Sequence, residues 1–269
     1  METIFINKNN LADYQKQATS KIIALGYFDG LHAGHRKVIT EAKKLAKLHQ
    51  QQFAVMSFTP HPKVVLSDGK LQVPKLMSLS EKQDQLEQLG VDILYMVEFT
   101  KEFASLNPEQ FVNNYLLGLK VVHVVAGFDF TYGHKGIGNL DRLIDDANGQ
   151  LAVTKVKKVE LDGEKISSSC IRERITNGEV DMLPYFLGHY YESKGSWNGT
   201  ELSLSTECMI PRNGNYIVVI KQGNKKIQTE LMVNEGRIQC NERLPQSFIG
   251  TVHLEWKKQI YTNEYIYSN

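Results

Sequence analysis

Ile22-Ile23-Ala24-Leu25-Gly26-Tyr27-Phe28-Asp29-Gly30-Leu31-His32-Ala33-Gly34-His35 is the stretch that decides the fold. Its four apolar residues read as a buried strand. The glycine-rich segment behind them reads as a tight turn. Beyond it Val38, Ala42 and Leu45, with Ile39 and Ala46, recur at helical spacing and mark one face of a helix running to Leu48. The sequence therefore spells strand, turn, helix, with His32 and His35 where the helix begins. A helix N-terminus presents free backbone N–H groups and the positive end of the dipole. Two imidazoles added there make a site for a polyphosphate. There is no Walker-type Gly-Lys-Ser/Thr, so this is not a P-loop.

Outward from this turn, strand and helix signals alternate. Phe53–Phe58 reads as a strand stopped by Thr59-Pro60-His61-Pro62. Ser80 and Gln83 look like a capping box for a helix to Leu89, closed by Gly90. Ile93–Val97 is a further strand. Asn107-Pro108 opens a helix on which Phe111, Tyr115 and Leu116 share a face. Val121–Ala126 and Val153–Val159 are two more strands. Nearly continuous apolar strands alternating with helices predict a parallel sheet covered on both faces, an α/β, Rossmann-like domain. Ligands bind such sheets at the carboxyl ends of the strands. The loops Phe28–His35, Thr59–Pro62 and Phe128–Gly138 all follow strands, which points to one shared pocket.

Two short helices are expected at Ser169–Thr176 and Glu179–Leu187. After Gly188 the pattern changes to strands at Leu202–Ser205, Tyr216–Ile220, Glu230–Val233 and Gly250–Trp256, separated by turns such as Asn213-Gly214. This predicts a small antiparallel β-barrel domain. The expected division is residues 1–187 and 188–269.

Lys and Arg number 31 against 30 Asp and Glu, a net charge of +1, so bulk charge gives no argument for nucleic acid. Lys155, Lys157 and Lys158 read as a solvated strand edge. Cys170, Cys208 and Cys240 are far apart and odd in number, against a disulfide framework or a zinc ribbon. No apolar run approaches the roughly 20 residues of a membrane span. The expectation is a cytoplasmic protein with no membrane or nucleic-acid partner, a monomer or weak oligomer.

Four motifs carry a resemblance. They are Gly26–His35 with its HxGH ending, Phe58-Thr59-Pro60-His61-Pro62, Gly127-Phe128-Asp129-Phe130-Thr131-Tyr132-Gly133, and Ile166-Ser167-Ser168-Ser169-Cys170-Ile171-Arg172. In this order they resemble the nucleotidylyltransferase (FMN adenylyltransferase) module of prokaryotic FAD synthetases, most of which also carry riboflavin kinase. The resemblance implies adenylyl transfer from ATP to FMN, giving FAD and pyrophosphate. It implies His32, His35 and Arg172 as the catalytic residues. Gly26, Phe28, Gly34, Ser168 and Ser169 would hold ATP and its phosphates. Asp29, Phe58, Pro60, His61, Phe128 and Asp129 would hold FMN. Asp29 has two open roles, near the acceptor phosphate or organising the loop. Mg²⁺ is expected with ATP, its ligands unassigned, Asp129 being a candidate.

The β half departs from the family. Its kinase modules carry a glycine-rich stretch followed by Pro-Thr-Ala-Asn. Here Gly195–Thr206 reads Gly-Ser-Trp-Asn-Gly-Thr-Glu-Leu-Ser-Leu-Ser-Thr, without that tetrapeptide. The expectation is a degenerate, kinase-inactive barrel. The rival readings are adenylyl or cytidylyl transfer to another phosphate acceptor, a bifunctional enzyme with an unusual kinase site, and a non-catalytic flavin-responsive binding or regulatory protein.

Overall fold

The computed structural model describes residues 1–205, 208–240 and 243–261. The chain divides into two compact units, residues 1–73 with 79–160, and residues 74–78 with 161–269.

The first unit runs β1 (Glu2–Ile6), α1 (Leu11–Gln17), β2 (Lys21–Leu25), α2 (Ala33–Leu48), β3 (Gln52–Thr59), α3 (Pro62–Leu66), α4 (Leu79–Gln88), β4 (Ile93–Glu98), α5 (Lys101–Ala104) and α6 (Pro108–Phe111). A π-helical turn, Val112–Leu117, continues α6. Then come β5 (Val121–Gly127), β6 (Thr131–Tyr132), β7 (Gly138–Asn139), α7 (Leu143–Asp146) and β8 (Ala152–Val156). Six strands form one parallel sheet in the order β1-β4-β3-β2-β5-β8. Every residue of β2 is buried, as a central strand covered on both faces requires. From β2 the chain steps one way to β3 and β4, and the other way to β5 and β8. The strand order therefore switches between β2 and β5, and a crevice opens at such a point beyond the carboxyl ends. The turn after β2 and the loop after β5 stand there, with the loop after β3 beside them.

Several expectations shift. The edge strand β1 went unpredicted; it pairs in parallel with β4. Ser80 is not a cap but lies inside α4, and the Gln83 amide donates to Thr3 Oγ1 at 3.0 Å. The capping box sits instead at Asn107 and Gln110, opening α6. Strand β8 ends at Val156, short of Val159. It is an edge strand, and Lys155 on it pairs with Asp141 at 2.6 Å.

In the second unit, β9 (Glu160–Leu161) and β10 (Glu164–Lys165) lead into α8 (Ser168–Asn177) and α9 (Leu183–Leu187). β11 (Glu192–Trp197), β12 (Leu202–Leu204), β13 (Gly214–Gln222), β14 (Lys225–Asn234), β15 (Arg237–Cys240) and β16 (Gly250–Ile260) follow. The last six form an antiparallel sheet, β12-β11-β16-β13-β14-β15, whose end strands lie beside each other in a nearly closed barrel. Burial alternates along β13 and β16, putting Tyr216, Val218, Ile220, Val252, Leu254 and Trp256 inside. The buried Trp256 indole donates to Ser193 Oγ at 2.9 Å.

The compact units do not divide at the expected position near Gly188. Residues 161–187 pack with the barrel. At Gly178, the left-handed cap of α8, an added Cβ would stand 2.4 Å from Gln259 Oε1 on β16. Thr206, the end of the segment expected to have lost the kinase loop, lies outside the described residues.

Candidate functional site

The turn from Gly26 to His32 is built on left-handed backbone. Phe28, Gly30 and Leu31 have φ of 50°, 79° and 40°. Only glycine adopts this region without cost, so packing must hold the other two. The Phe28 ring is 1% exposed and lies over Gly26. An added Cβ at Gly26 would meet that ring at 2.9 Å. Gly26 is thus required by Phe28 inside the protein, whatever it does for a nucleotide. Leu31 is buried in turn, and Asp29 is 3% exposed.

His32 closes the turn and caps α2. Its Nδ1 accepts from the His35 amide at 3.3 Å. With Nδ1 accepting, a neutral His32 carries its proton on Nε2, where it is a donor. The two imidazoles stack, centroids 3.7 Å apart and planes 19° from parallel. The Phe28 ring meets His35 edge-on at 5.2 Å. Among the described residues, the amides of Ala33 and Gly34 in the first turn of α2 make no hydrogen bond within the protein. Two histidines and two unused amides at a helix start form a donor set for phosphoryl oxygens.

Two residues that sequence reasoning missed hold this turn. Ser57 on β3 is fully buried and donates to the Tyr27 carbonyl at 2.7 Å. Lys82 on α4 is 7% exposed and donates to the same carbonyl at 3.0 Å. The available signal was spacing: Lys82 lies four residues before the buried Leu86, on the apolar face of α4.

The second motif joins the first through Tyr27, whose ring meets His61 edge-on at 4.4 Å. His61 caps α3, its Nδ1 accepting from the Lys63 amide at 3.0 Å. Pro60 is exposed beside it. Phe58 departs from expectation. It is core, packing against Phe99 and Phe103 at 6.3 and 5.8 Å. Phe28 differs likewise, since its ring is taken up by Gly26 and His35.

The third motif begins as a turn after β5, with the Phe130 amide donating to the Gly127 carbonyl at 2.9 Å. Phe128 is 40% exposed and Asp129 is exposed. The loop is stapled down behind them. The His134 amide donates to the Leu106 carbonyl at 2.6 Å, and Gly133 has φ 73° against Pro108. The Tyr132 hydroxyl donates to the buried Asp146, which Arg142 clamps at 2.6 Å. Burial and the Asp146 carboxylate raise the Tyr132 pKa, keeping it a neutral donor.

Ser168, Ser169 and Arg172 belong to the second unit. The cap of α8 is Ser167, whose Oγ accepts from the Cys170 amide at 3.3 Å. Ser168 and Ser169 are therefore the first two residues of α8. Arg172 Nε donates to the Pro74 carbonyl at 2.8 Å. Burial, with Glu164 alongside, raises the Cys170 thiol, the opposite of an activated nucleophile.

Among the described residues, no three His, Cys, Asp or Glu side chains converge as metal ligands. No helix among these residues is long and apolar enough to cross a membrane.

Comparison with known proteins agrees with this layout. A family model described as FAD synthetase matches residues 14–170. A bifunctional riboflavin kinase/FMN adenylyltransferase of Bacillus subtilis is 45% identical over 230 residues, covering 81% of this chain and 72% of that protein. One of Listeria monocytogenes is 40% identical, covering 81% and 73%. A Listeria protein named FAD synthetase is 31% identical, covering 75% and 82%. A solved structure described as a macrolide-efflux protein from Streptococcus pneumoniae superposes with a TM-score of 0.83 at 28% identity, covering 97% and 91%. A matching model over more than half the chain and relatives at this identity leave one assignment: the chain belongs to the FAD synthetase family.

Proposed function

We infer that the chain is an FMN adenylyltransferase, converting ATP and FMN to FAD and pyrophosphate. The observation that carries this is the stacked His32–His35 pair beside the free Ala33 and Gly34 amides, at the switch point of the sheet. A phosphate oxygen of FMN attacks the α-phosphorus of ATP in line. The bond to the bridging oxygen breaks, and its electron pair leaves with pyrophosphate. Negative charge builds on oxygens that His32 Nε2, His35 and the α2 amides are placed to receive, so catalysis is positioning and electrostatics. Arg172, Ser168 and Ser169 supply further phosphate donors. His61, Pro60, Phe128 and Asp129 line the acceptor side, where flat apolar surface suits a flavin. Phe28, Phe58 and Asp29 act from within, shaping the loops. Asp129 would help to hold a magnesium ion carried by ATP, which would neutralise charge on the phosphates.

The barrel adds no kinase in this reading. The β11–β12 turn uses its own donors: Asn198 Oδ1 accepts from the Thr200 amide at 2.9 Å and the Glu201 amide at 2.7 Å. Amides spent this way cannot cradle a nucleotide phosphate. On this reading the protein is monofunctional, with residues 188–269 as a riboflavin-kinase-like barrel. Incubation with ATP, Mg²⁺ and either FMN or riboflavin, with products separated, tests both parts. FAD from FMN and no FMN from riboflavin is the expected result. Sustained riboflavin phosphorylation sinks the monofunctional claim, and absence of FAD sinks the adenylyltransferase.

A further inference from the structure

We propose that Lys82 is a positioning residue for the His32–His35 pair, acting through the Tyr27 carbonyl. This rests on the reading of those histidines as phosphate donors. Lysine is seldom fully buried, because desolvating an ammonium is costly. Lys82 is 7% exposed, and its Nζ lies 3.0 Å from the Tyr27 carbonyl, 3.3 Å from Ser57 Oγ and 5.2 Å from the Tyr27 ring centre. A leucine or methionine would fill the same face of α4 without that cost.

What the ammonium secures is one peptide plane. The Tyr27 carbonyl belongs to the peptide that precedes Phe28, and the orientation of that peptide sets φ of Phe28. At +50° this φ is unfavourable for phenylalanine, and rotating the peptide would relax it. Two donors on one carbonyl, Ser57 at 2.7 Å and Lys82 at 3.0 Å, oppose that rotation. Phe28 transmits the constraint, since its ring rests on Gly26 and meets His35 edge-on at 5.2 Å. His35 in turn stacks on His32. A charge-assisted bond is stronger than a neutral one and suits a strained turn that must not drift.

The test compares wild type with Lys82→Met, which keeps the aliphatic stem and loses the donor. In histidine-labelled protein, NMR should show the His32 and His35 ring signals shifted, with those of His123 and His253 in place. The kcat/KM for ATP should fall by about 10- to 100-fold, as for a catalytic group moved by a fraction of an ångström. The fall should be largely absent when Lys82→Met is made in a His35→Ala background, because both then act on one arrangement. A merely structural lysine would lower both backgrounds equally. Unmoved His32 and His35 signals, or an undiminished loss beside His35→Ala, overturns the proposal. If Lys82→Met does not fold, Ser57→Ala removes the other donor from the same carbonyl and takes the same readouts. If wild type makes no FAD, the functional reading fails, and the NMR comparison still decides the role of Lys82.

Discussion

Replacing Gly26 by alanine should destabilise the first unit because of Phe28, not because of a nucleotide. The new Cβ would lie 2.9 Å from Cε1 and Cζ of the Phe28 ring and 3.2 Å from Cε2. The ring cannot swing away freely, being 1% exposed, fixed to left-handed backbone and set edge-on against His35. Overpacking of this kind costs about 1–3 kcal/mol. For a domain of this size that lowers Tm by about 3–10 °C. Thermal unfolding without ligand measures it, and FAD formation should fall at least about tenfold as His35 is displaced. The cause is isolated by Phe28→Leu, which alone costs about 1–2 kcal/mol by leaving space. In the double variant the two changes should offset each other, with a coupling above about 1 kcal/mol. A ligand-free Gly26→Ala protein as stable as wild type would refute the reasoning. So would strict additivity with Phe28→Leu.

Three further outcomes follow from the same structure. Arg172→Lys should recover little of the activity lost in Arg172→Ala, since lysine cannot reproduce the guanidinium fork; near-normal turnover would make Arg172 a diffuse charge only. Asp146→Ala should cost about 1–3 kcal/mol in chemical denaturation by stranding the buried Tyr132 hydroxyl and leaving Arg142 only Glu109, and a change under about 0.5 kcal/mol would contradict the clamp. Burial pushes the Lys21 ammonium down to about 8 from 10.5. Between those values the unfolded chain binds a proton that the folded chain does not, so wild type should gain stability relative to Lys21→Met as pH rises from 8 towards 10.5; a constant difference would contradict it.

Much of the first unit was legible in the sequence because parallel strands are apolar throughout and glycine-rich turns punctuate them. The β2 turn, the histidine pair at α2 and the three loops at one end of the sheet all followed from local pattern. What escaped depends on contacts between distant positions. Lys82 and Ser57 reach Tyr27 across 55 and 30 residues. A lysine on a helix ordinarily reads as solvated, and its spacing to Leu86 marks the face without showing which carbonyl its ammonium meets. Phe58 illustrates the converse, since an aromatic after a strand can face a ligand or the core, and only Phe99 and Phe103 decide it. The grouping of residues 161–187 with the barrel depends on such distant contacts too. The change of periodicity near Gly188 is real, but the turn Val180–Met182 behind α8 packs on β16, far along the chain.

The central claim concerns what the His32–His35 pair does to ATP. The most direct measurement follows FAD and pyrophosphate formation from ATP, Mg²⁺ and FMN by wild type and by His32→Ala/His35→Ala, prepared together and matched in thermal unfolding. The account predicts equal amounts of FAD and pyrophosphate from wild type. It predicts a loss of about 10³-fold or more in the double variant, each oriented donor contributing about 10²–10³. FAD made by the double variant at the wild-type rate would contradict it.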